Sequence, residues 1–320
     1  MIFLLSLVSF SICFVGFPVL ISRFKRARIV GKNMNNNVHE KIPEMGGIMI
    51  IIGFLTGIIF VLILRKFFGL FISINIEVIL SSYATILSVA IIGMIDDLIS
   101  IRQVIKAFIP MLAALPLMVT DLGHTTIYFP LFSKIDFGIY YSLILIPVGI
   151  TVAANAVNML AGFNGSEIGM GLIAMISLSI IALIKGEITS LVILIIISGA
   201  FIATLYYNWY PSQVLIGDTG TLSIGAIIAV GAIIGNFELA GVILIIPYVI
   251  DFIFKARNRF PAKNWWGSYR DGKIYCPRKK PISFCQWIMK LNGGISERNL
   301  VLVLMSIEAI FGLVAILLYI

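Results

Sequence analysis

Charge is what this sequence has least of. Only 12% of its 320 residues are Asp, Glu, Lys or Arg, 60% are hydrophobic, and mean hydropathy is +1.08. Soluble domains carry about a quarter charged residues, so a water-soluble fold is excluded on composition alone. The three cysteines, Cys13, Cys276 and Cys285, have neither metal-ligand spacing nor an even-numbered set, which excludes a zinc cluster and a disulfide framework. Histidine is limited to His39 and His124. No basic residue precedes the first apolar run, whereas Arg23, Lys25, Arg26 and Arg28 follow it directly, so that run is expected to be a membrane span rather than a cleaved leader. Internal repeats and low-complexity tracts are also missing.

What fills the sequence instead is apolar runs of bilayer-crossing length, about 20 residues as helix. They do not alternate apolar with polar residues, as strands of a membrane barrel would. Ten spans are predicted: 2–22, 46–64, 77–95, 105–120, 138–157, 168–184, 188–206, 220–235, 239–256 and 299–320. The expected fold is an all-α integral membrane bundle of about ten transmembrane helices. With that count, 19 of the 23 basic residues fall on one side, leaving Arg65, Lys66, Lys134 and Lys185 on the other. The bias places the basic side in the cytoplasm and both termini outside. The net charge of +8 therefore speaks first for topology, then for an anionic substrate or lipid, and not for nucleic acid. Between the spans, 31–47 reads as an ordered polar loop and TTIYF near 125–129 as part of a small hairpin on the outer face. Phe284, Trp287, Ile288 and Leu291 repeat at i, i+3, i+4, i+7 with Gln286 and Lys290 off that face, which predicts a short amphipathic helix at the interface.

The unusual polar residues gather on the basic side, where ionisable groups at span ends are costly and point to function. Asp96 and Asp97, followed by Lys106, can bind a hard cation or hold a proton; the bland alternative is a solvated helix end. Asn155 and Asn158 share a helix face, and Gly162 and Gly165 allow a tight loop that presents Asn164, whose amide can read a base edge. Helix-packing glue is the competing explanation for these. Asp218, between glycines at the start of a span, is poised to ligate a metal or to cap the helix. Arg278, Lys279 and Lys280, held between Pro277 and Pro281, suit a phosphate clamp or a lipid-headgroup patch. Carboxylates, amides and cations together describe a site for a metal–pyrophosphate at a membrane surface. A transporter is the competing class, disfavoured because its polar groups would lie near the midplane rather than at one face.

At these motifs the chain resembles the polyprenyl-phosphate N-acetylhexosamine-1-phosphate transferases, above all the eukaryotic and archaeal branch that uses UDP-N-acetylglucosamine and dolichyl phosphate. The resemblance runs through IPE after the first span, DD with a lysine ten residues on, NAVNMLAGFNGSEIG, GDT and CPRKKP, and covers nearly the whole of 1–320 as one transferase domain. It implies Mg2+, with Mn2+ as the alternative, held by Asn158 and Asp218. Lys106 resembles a phosphate-contacting lysine, Asn164 the uracil-contacting asparagine, and Glu44 a glutamate on the ribose side. Arg278 and Lys280 stand where two arginines grip the diphosphate; Lys280 keeps the charge but loses the fork, and Lys279 replaces a histidine. Asn155, Glu167 and Lys279 join these as substrate-binding positions. Asp96 and Asp97 match an acidic pair to which base, anchor or metal-ligand roles are open, so that direct attack by the lipid phosphate and a two-step route through an aspartyl phosphate are both admissible. The implied partners are UDP-N-acetylglucosamine, a dolichyl-type phosphate and the bilayer, with a homodimer one admissible assembly; another UDP-hexosamine or undecaprenyl phosphate is the alternative chemistry. The membrane is a cell membrane, or the endoplasmic reticulum in a eukaryote. Bacterial relatives carry a histidine-rich motif where 255–298 here has no histidine at all.

The charge bias makes a direct prediction. A cysteine introduced at position 36 or 270 reacts with an impermeant maleimide only from the cytoplasmic side; labelling of either from outside overturns the topology.

Overall fold

The computed structural model describes residues 2–32, 41–129, 133–261 and 265–320. His39, Lys263 and residues 33–40 of the predicted 31–47 loop lie outside that set. Among the described residues, nine helices are long and apolar enough to cross a membrane: α1 (Ile2–Ala27), α2 (Gly47–Phe68), α3 (Ile76–Ile99), α7 (Ile146–Leu160, extended by a wider turn over Tyr141–Leu145), α8 (Ser166–Lys185), α9 (Ile188–Asn208), α10 (Gly217–Ile234), α11 (Glu238–Arg257) and α13 (Glu297–Leu317). The predicted span 105–120 differs. It is broken into α4 (Gln103–Phe108), α5 (Pro110–Ala113) and α6 (Leu115–Met118), because Pro110 and Pro116 each lack an amide hydrogen and cannot continue the preceding turn.

The broken segment still traverses the bundle. Lys106 touches Asp218 at the start of α10, while His124 touches the carbonyl of Ile233 at its end. α10 has 18 residues, about 27 Å of rise, so the chain between Lys106 and His124 runs the height of the bundle. Alternation of the ten passes then brings the ends of α1, α3, α7, α9 and α11 to one face with the starts of α2, α4, α8, α10 and α13.

Among the described residues, three two-stranded hairpins decorate the ends: β1 (Val30–Lys32) with β2 (Lys41–Pro43), β3 (Thr126–Phe129) with β4 (Ser133–Asp136), and β5 (Ser268–Arg270) with β6 (Lys273–Tyr275). The second is the hairpin expected near 125–129, and it sits opposite the polar face. Its approach is fixed by His124, whose Nε2 lies 3.7 Å from Glu238. Burial works against the imidazolium there, yet the Glu238 carboxylate raises the His124 pKa above its ordinary value.

α10 is the axis of the bundle. Every residue from Thr219 to Ile234 is buried, packed against α2, α3, α7, α8 and α11. The amphipathic helix near 284 exists as α12 (Phe284–Leu291), capped by Ser283, but its buried face is rotated from the expected one. Phe284, Cys285, Ile288 and Met289 are buried, and Gln286 is fully enclosed, accepting from the Ile282 amide. Trp287 and Leu291 are 42% and 66% exposed. A polar side chain that caps a loop belongs inside, and the hydropathy pattern alone does not reveal that.

Candidate functional site

The site is built around the first turn of α10. Asp97, near the end of α3, accepts hydrogen bonds from the amides of Asp218 (2.7 Å) and Thr219 (3.0 Å) and from the Thr219 hydroxyl (2.6 Å). It therefore caps α10 from a different helix, satisfying amides that have no partner within α10. α2 and α3 press close on this turn. A Cβ on Gly93 would meet the Asp218 carbonyl at 2.4 Å, and one on Gly47 the Gly220 amide at 2.3 Å. Only glycine permits such approach of backbone to backbone.

Held this way, Asp218 faces Lys106 and Asn158. The Lys106 ammonium lies 2.5 Å from both Asp218 and Asp96, and it is nearly enclosed. Asp96 also accepts from the Ile101 amide at 2.5 Å, which fixes the turn between α3 and α4. Asn158 donates to Asp218 at 2.5 Å and to the Thr221 hydroxyl at 2.7 Å. Asn155, one turn earlier, spends its amide on the carbonyls of Thr151 and Ala107, bracing α4 so that Lys106 stays in place.

The loop between α7 and α8 forms the adjacent wall. Glu167, expected at the substrate, accepts from the Gly162 amide and so shapes the loop from within. The Asn164 amide nitrogen of the backbone donates to Glu297 at the start of α13 (2.8 Å), and its side-chain oxygen accepts from Ser212 (3.1 Å). Its side-chain Nδ2 is buried with no partner among the described residues, a donor placed for something else.

These groups line one cavity of about 1240 Å3. Its polar end carries Glu44, Asp97, Lys106, Asn158, Asn164 and Asp218. Its apolar end is walled by Phe108, Met111, Val148, Val152, Val249 and Phe252. Phe108, Val148, Val152 and Phe252 are all exposed, so the apolar end is open rather than sealed inside the bundle. Burial, with the carboxylates of Asp97 and Asp218 nearby, pushes Glu44 up to about 7. The polar end thus holds more negative charge than Lys106 neutralises.

That excess is the test for a cation. Among the described residues no three His, Cys, Asp or Glu side chains form a metal cage. Asp218 and the Thr221 hydroxyl are hard oxygen donors, and the Asn158 carboxamide, which here presents Nδ2 to both, would add a third by flipping its oxygen into that place. Mg2+ takes one or two carboxylates plus substrate phosphates rather than a full protein cage, so these residues fit it.

Arg278, Lys279 and Lys280 are not brought to the cavity. They are exposed on a loop after β6, where Lys290 donates to the Lys279 carbonyl (2.7 Å) and Cys276 to that of Arg278. Conversely, the sequence reading missed Asp251, Lys255 and Glu297. Opposite charges at i, i+4 inside an apolar run, as in Asp251 and Lys255, were the available signal, but Lys255 was counted only as a topology charge.

A polar end and an open apolar groove in one cavity define an enzyme that joins soluble and lipid chemistry. Comparison with known proteins agrees. The profile of the family described as glycosyl transferase family 4 matches residues 79–236, which span Asp96 to Asp218. A protein of Saccharolobus solfataricus is 38% identical over 98% of this chain and 95% of its own, and one of Sulfolobus acidocaldarius is 33% identical over 97% and 94%. Both carry the provisional name UDP-N-acetylglucosamine–dolichyl-phosphate N-acetylglucosaminephosphotransferase. The Dictyostelium discoideum protein bearing that name without qualification is 26% identical over 92% of this chain and 82% of its own. The chain belongs to glycosyl transferase family 4, and within it to the glycosyl-1-phosphate transferases.

This geometry makes three predictions. Asp97→Ala should lower thermal stability, by roughly 1–3 kcal/mol for amides left without an acceptor, together with turnover. Asp218→Asn should remove turnover while leaving the melting temperature near that of the parent; an active Asp218→Asn enzyme contradicts the arrangement. For Glu44 the folded pKa near 7 lies above the ordinary 4.5, so the folded state holds its proton more tightly. Its contribution to stability is complete below about pH 4.5, falls as pH rises to about 7, and is flat above. Glu44→Gln should flatten that part of the melting-temperature profile; an unchanged slope would show that Glu44 is not the group.

Proposed function

We propose that this chain transfers N-acetylglucosamine 1-phosphate from UDP-N-acetylglucosamine to a dolichyl-type polyprenyl phosphate and releases UMP, the first step of lipid-linked oligosaccharide assembly for protein N-glycosylation. The observation that carries this is the shared cavity. A charged, amide-lined end suits a nucleotide diphosphate, and the adjoining apolar groove between α7 and α11 suits a polyprenyl tail. The names of the relatives point the same way.

In this reading the acceptor phosphate oxygen attacks the β-phosphorus of the donor. The bond from that phosphorus to the oxygen bridging to the α-phosphate breaks, and UMP leaves with that oxygen. The lipid thereby gains a diphosphate that bears the sugar. A phosphate monoester has a second pKa of roughly 6, so near neutrality the nucleophile is largely deprotonated already. A strong protein base is unnecessary. Both oxygens of Asp97 are engaged by α10, and Asp96 is shared between Lys106 and the Ile101 amide, which favours direct attack over a covalent aspartyl phosphate. Mg2+ held by Asp218 and Asn158, with Mn2+ as the alternative, would supply charge neutralisation at the diphosphate. Lys106 steadies Asp218 and lies within the cavity to meet a phosphate oxygen. Asn164 offers its unpartnered Nδ2 to a carbonyl acceptor on the base. The polar end faces the cytoplasm, where the nucleotide sugar is found.

Purified protein offered UDP-N-acetylglucosamine, UDP-N-acetylgalactosamine and UDP-N-acetylmuramoyl-pentapeptide with one dolichyl phosphate tests this. The expected result is an organic-soluble product from the first and none from the muramoyl donor. Preference for the muramoyl donor contradicts the proposal.

A further inference from the structure

The wall of the cavity beside the Asn164 loop contains a cluster that the transfer reaction does not use. Lys255, in the last turn of α11, is 6% exposed and Asp251, one turn earlier, is 1% exposed. Their charges pair at 2.9 Å. The same ammonium donates to the Met159 carbonyl near the end of α7 and lies 4.3 Å from the centroid of the Trp265 ring. Asp251 also accepts from the Phe284 amide at 2.8 Å, and Ser283 donates to the Trp265 carbonyl at 3.0 Å. One ion pair therefore joins α7, α11, the start of α12 and the segment that begins at Trp265.

Trp265 passes this constraint on to the loop that presents Asn164. Gly162 has φ +127°, and a Cβ there would lie 2.3 Å from the indole ring. Phe163 meets the same ring edge-on, 6.4 Å between centroids at 87°. The ring thus rests on the two residues before Asn164, with a cation over it. A cation–π contact is directional and strengthens when shielded from water, so Lys255 fixes where the indole sits, not merely that it is buried. Trp265 and Lys255 line the cavity together with Gly162 and Asn164.

We propose that Asp251, Lys255 and Trp265 form a bolt that sets the position of the Gly162–Asn164 loop, making Lys255 and Trp265 positioning residues for the nucleotide part of the donor. This rests on the reading of Asn164 as the contact to the donor base. The bolt acts on donor binding and leaves the acceptor groove untouched, since the groove residues Val148 and Val152 lie earlier on α7 than Met159, and Val249 earlier on α11 than Asp251.

The test is calorimetric binding of UDP-N-acetylglucosamine and of UMP to the detergent-purified full chain with Mg2+, beside Michaelis constants for both substrates. Removing Lys255 alone would strand the buried Asp251 charge and endanger folding. The informative variant is therefore Asp251→Asn/Lys255→Met, which keeps an acceptor for the Phe284 amide and leaves no net charge. It should melt near the parent, bind both nucleotides about tenfold more weakly, and leave the acceptor KM within about twofold. Trp265→Leu should give the same pattern, and Lys255→Arg, which keeps the cation over the ring, should bind donor within about twofold of the parent. Unchanged donor binding in the double variant, or a rise in acceptor KM in place of donor KM, overturns the bolt while the donor assignment stands. A parent chain that binds neither nucleotide removes both.

Discussion

The carboxylate of Asp97 reaches from α3 and takes two amides and a hydroxyl from the first turn of α10. α10 is the buried axis of the bundle, and its first turn carries Asp218, the residue on which Lys106 and Asn158 converge. Without an acceptor for those amides, a helix start lying among carboxylates and glycine backbones would have orphaned donors away from water, at about 1–3 kcal/mol each. The same contact engages both carboxylate oxygens of Asp97 in holding the start of α10.

From that anchor the polar groups are ordered by pairing. Lys106 sits between Asp96 and Asp218, Asn155 holds the helix that carries Lys106, and Asn158 closes on Asp218 through its amide. Buried charges in a membrane bundle persist only when paired in this way. Burial first, and then the nearby carboxylates of Asp97 and Asp218, raise the pKa of Glu44, and a cation at these carboxylates would offset the second of these. One cavity thus carries charged and amide side chains at one end and apolar side chains at the other.

Much of this was legible in the sequence. Ten apolar runs and the placement of basic residues gave the bundle and its two faces, because hydropathy and loop charge are local properties. The motifs containing Asp96, Asp97, Lys106, Asn158, Asn164 and Asp218 met in space as expected, since alternating spans bring their ends to one face. What stayed hidden depends on partners distant in the chain. Nothing in a linear pattern distinguishes Asp97 as a cap from Asp96 as an ion-pair partner, or shows that Glu167 turns inward to Gly162. The breaks in the fourth span were written in Pro110 and Pro116 but masked by its hydropathy. On α12 an apolar stripe was inferred from spacing, whereas the enclosed Gln286 takes the inner position because it caps a loop. Arg278, Lys279 and Lys280 were grouped with the site by motif, and the structure leaves them on an exposed loop outside the cavity lining.

The central claim is that a sugar phosphate, rather than a sugar, is transferred. Donor labelled separately at its α- and β-phosphorus, incubated with dolichyl phosphate and the purified chain, reads this directly. The account predicts β-label in the organic-soluble product and α-label in UMP. Both labels recovered together in UDP, with unlabelled phosphate in the lipid product, would contradict it.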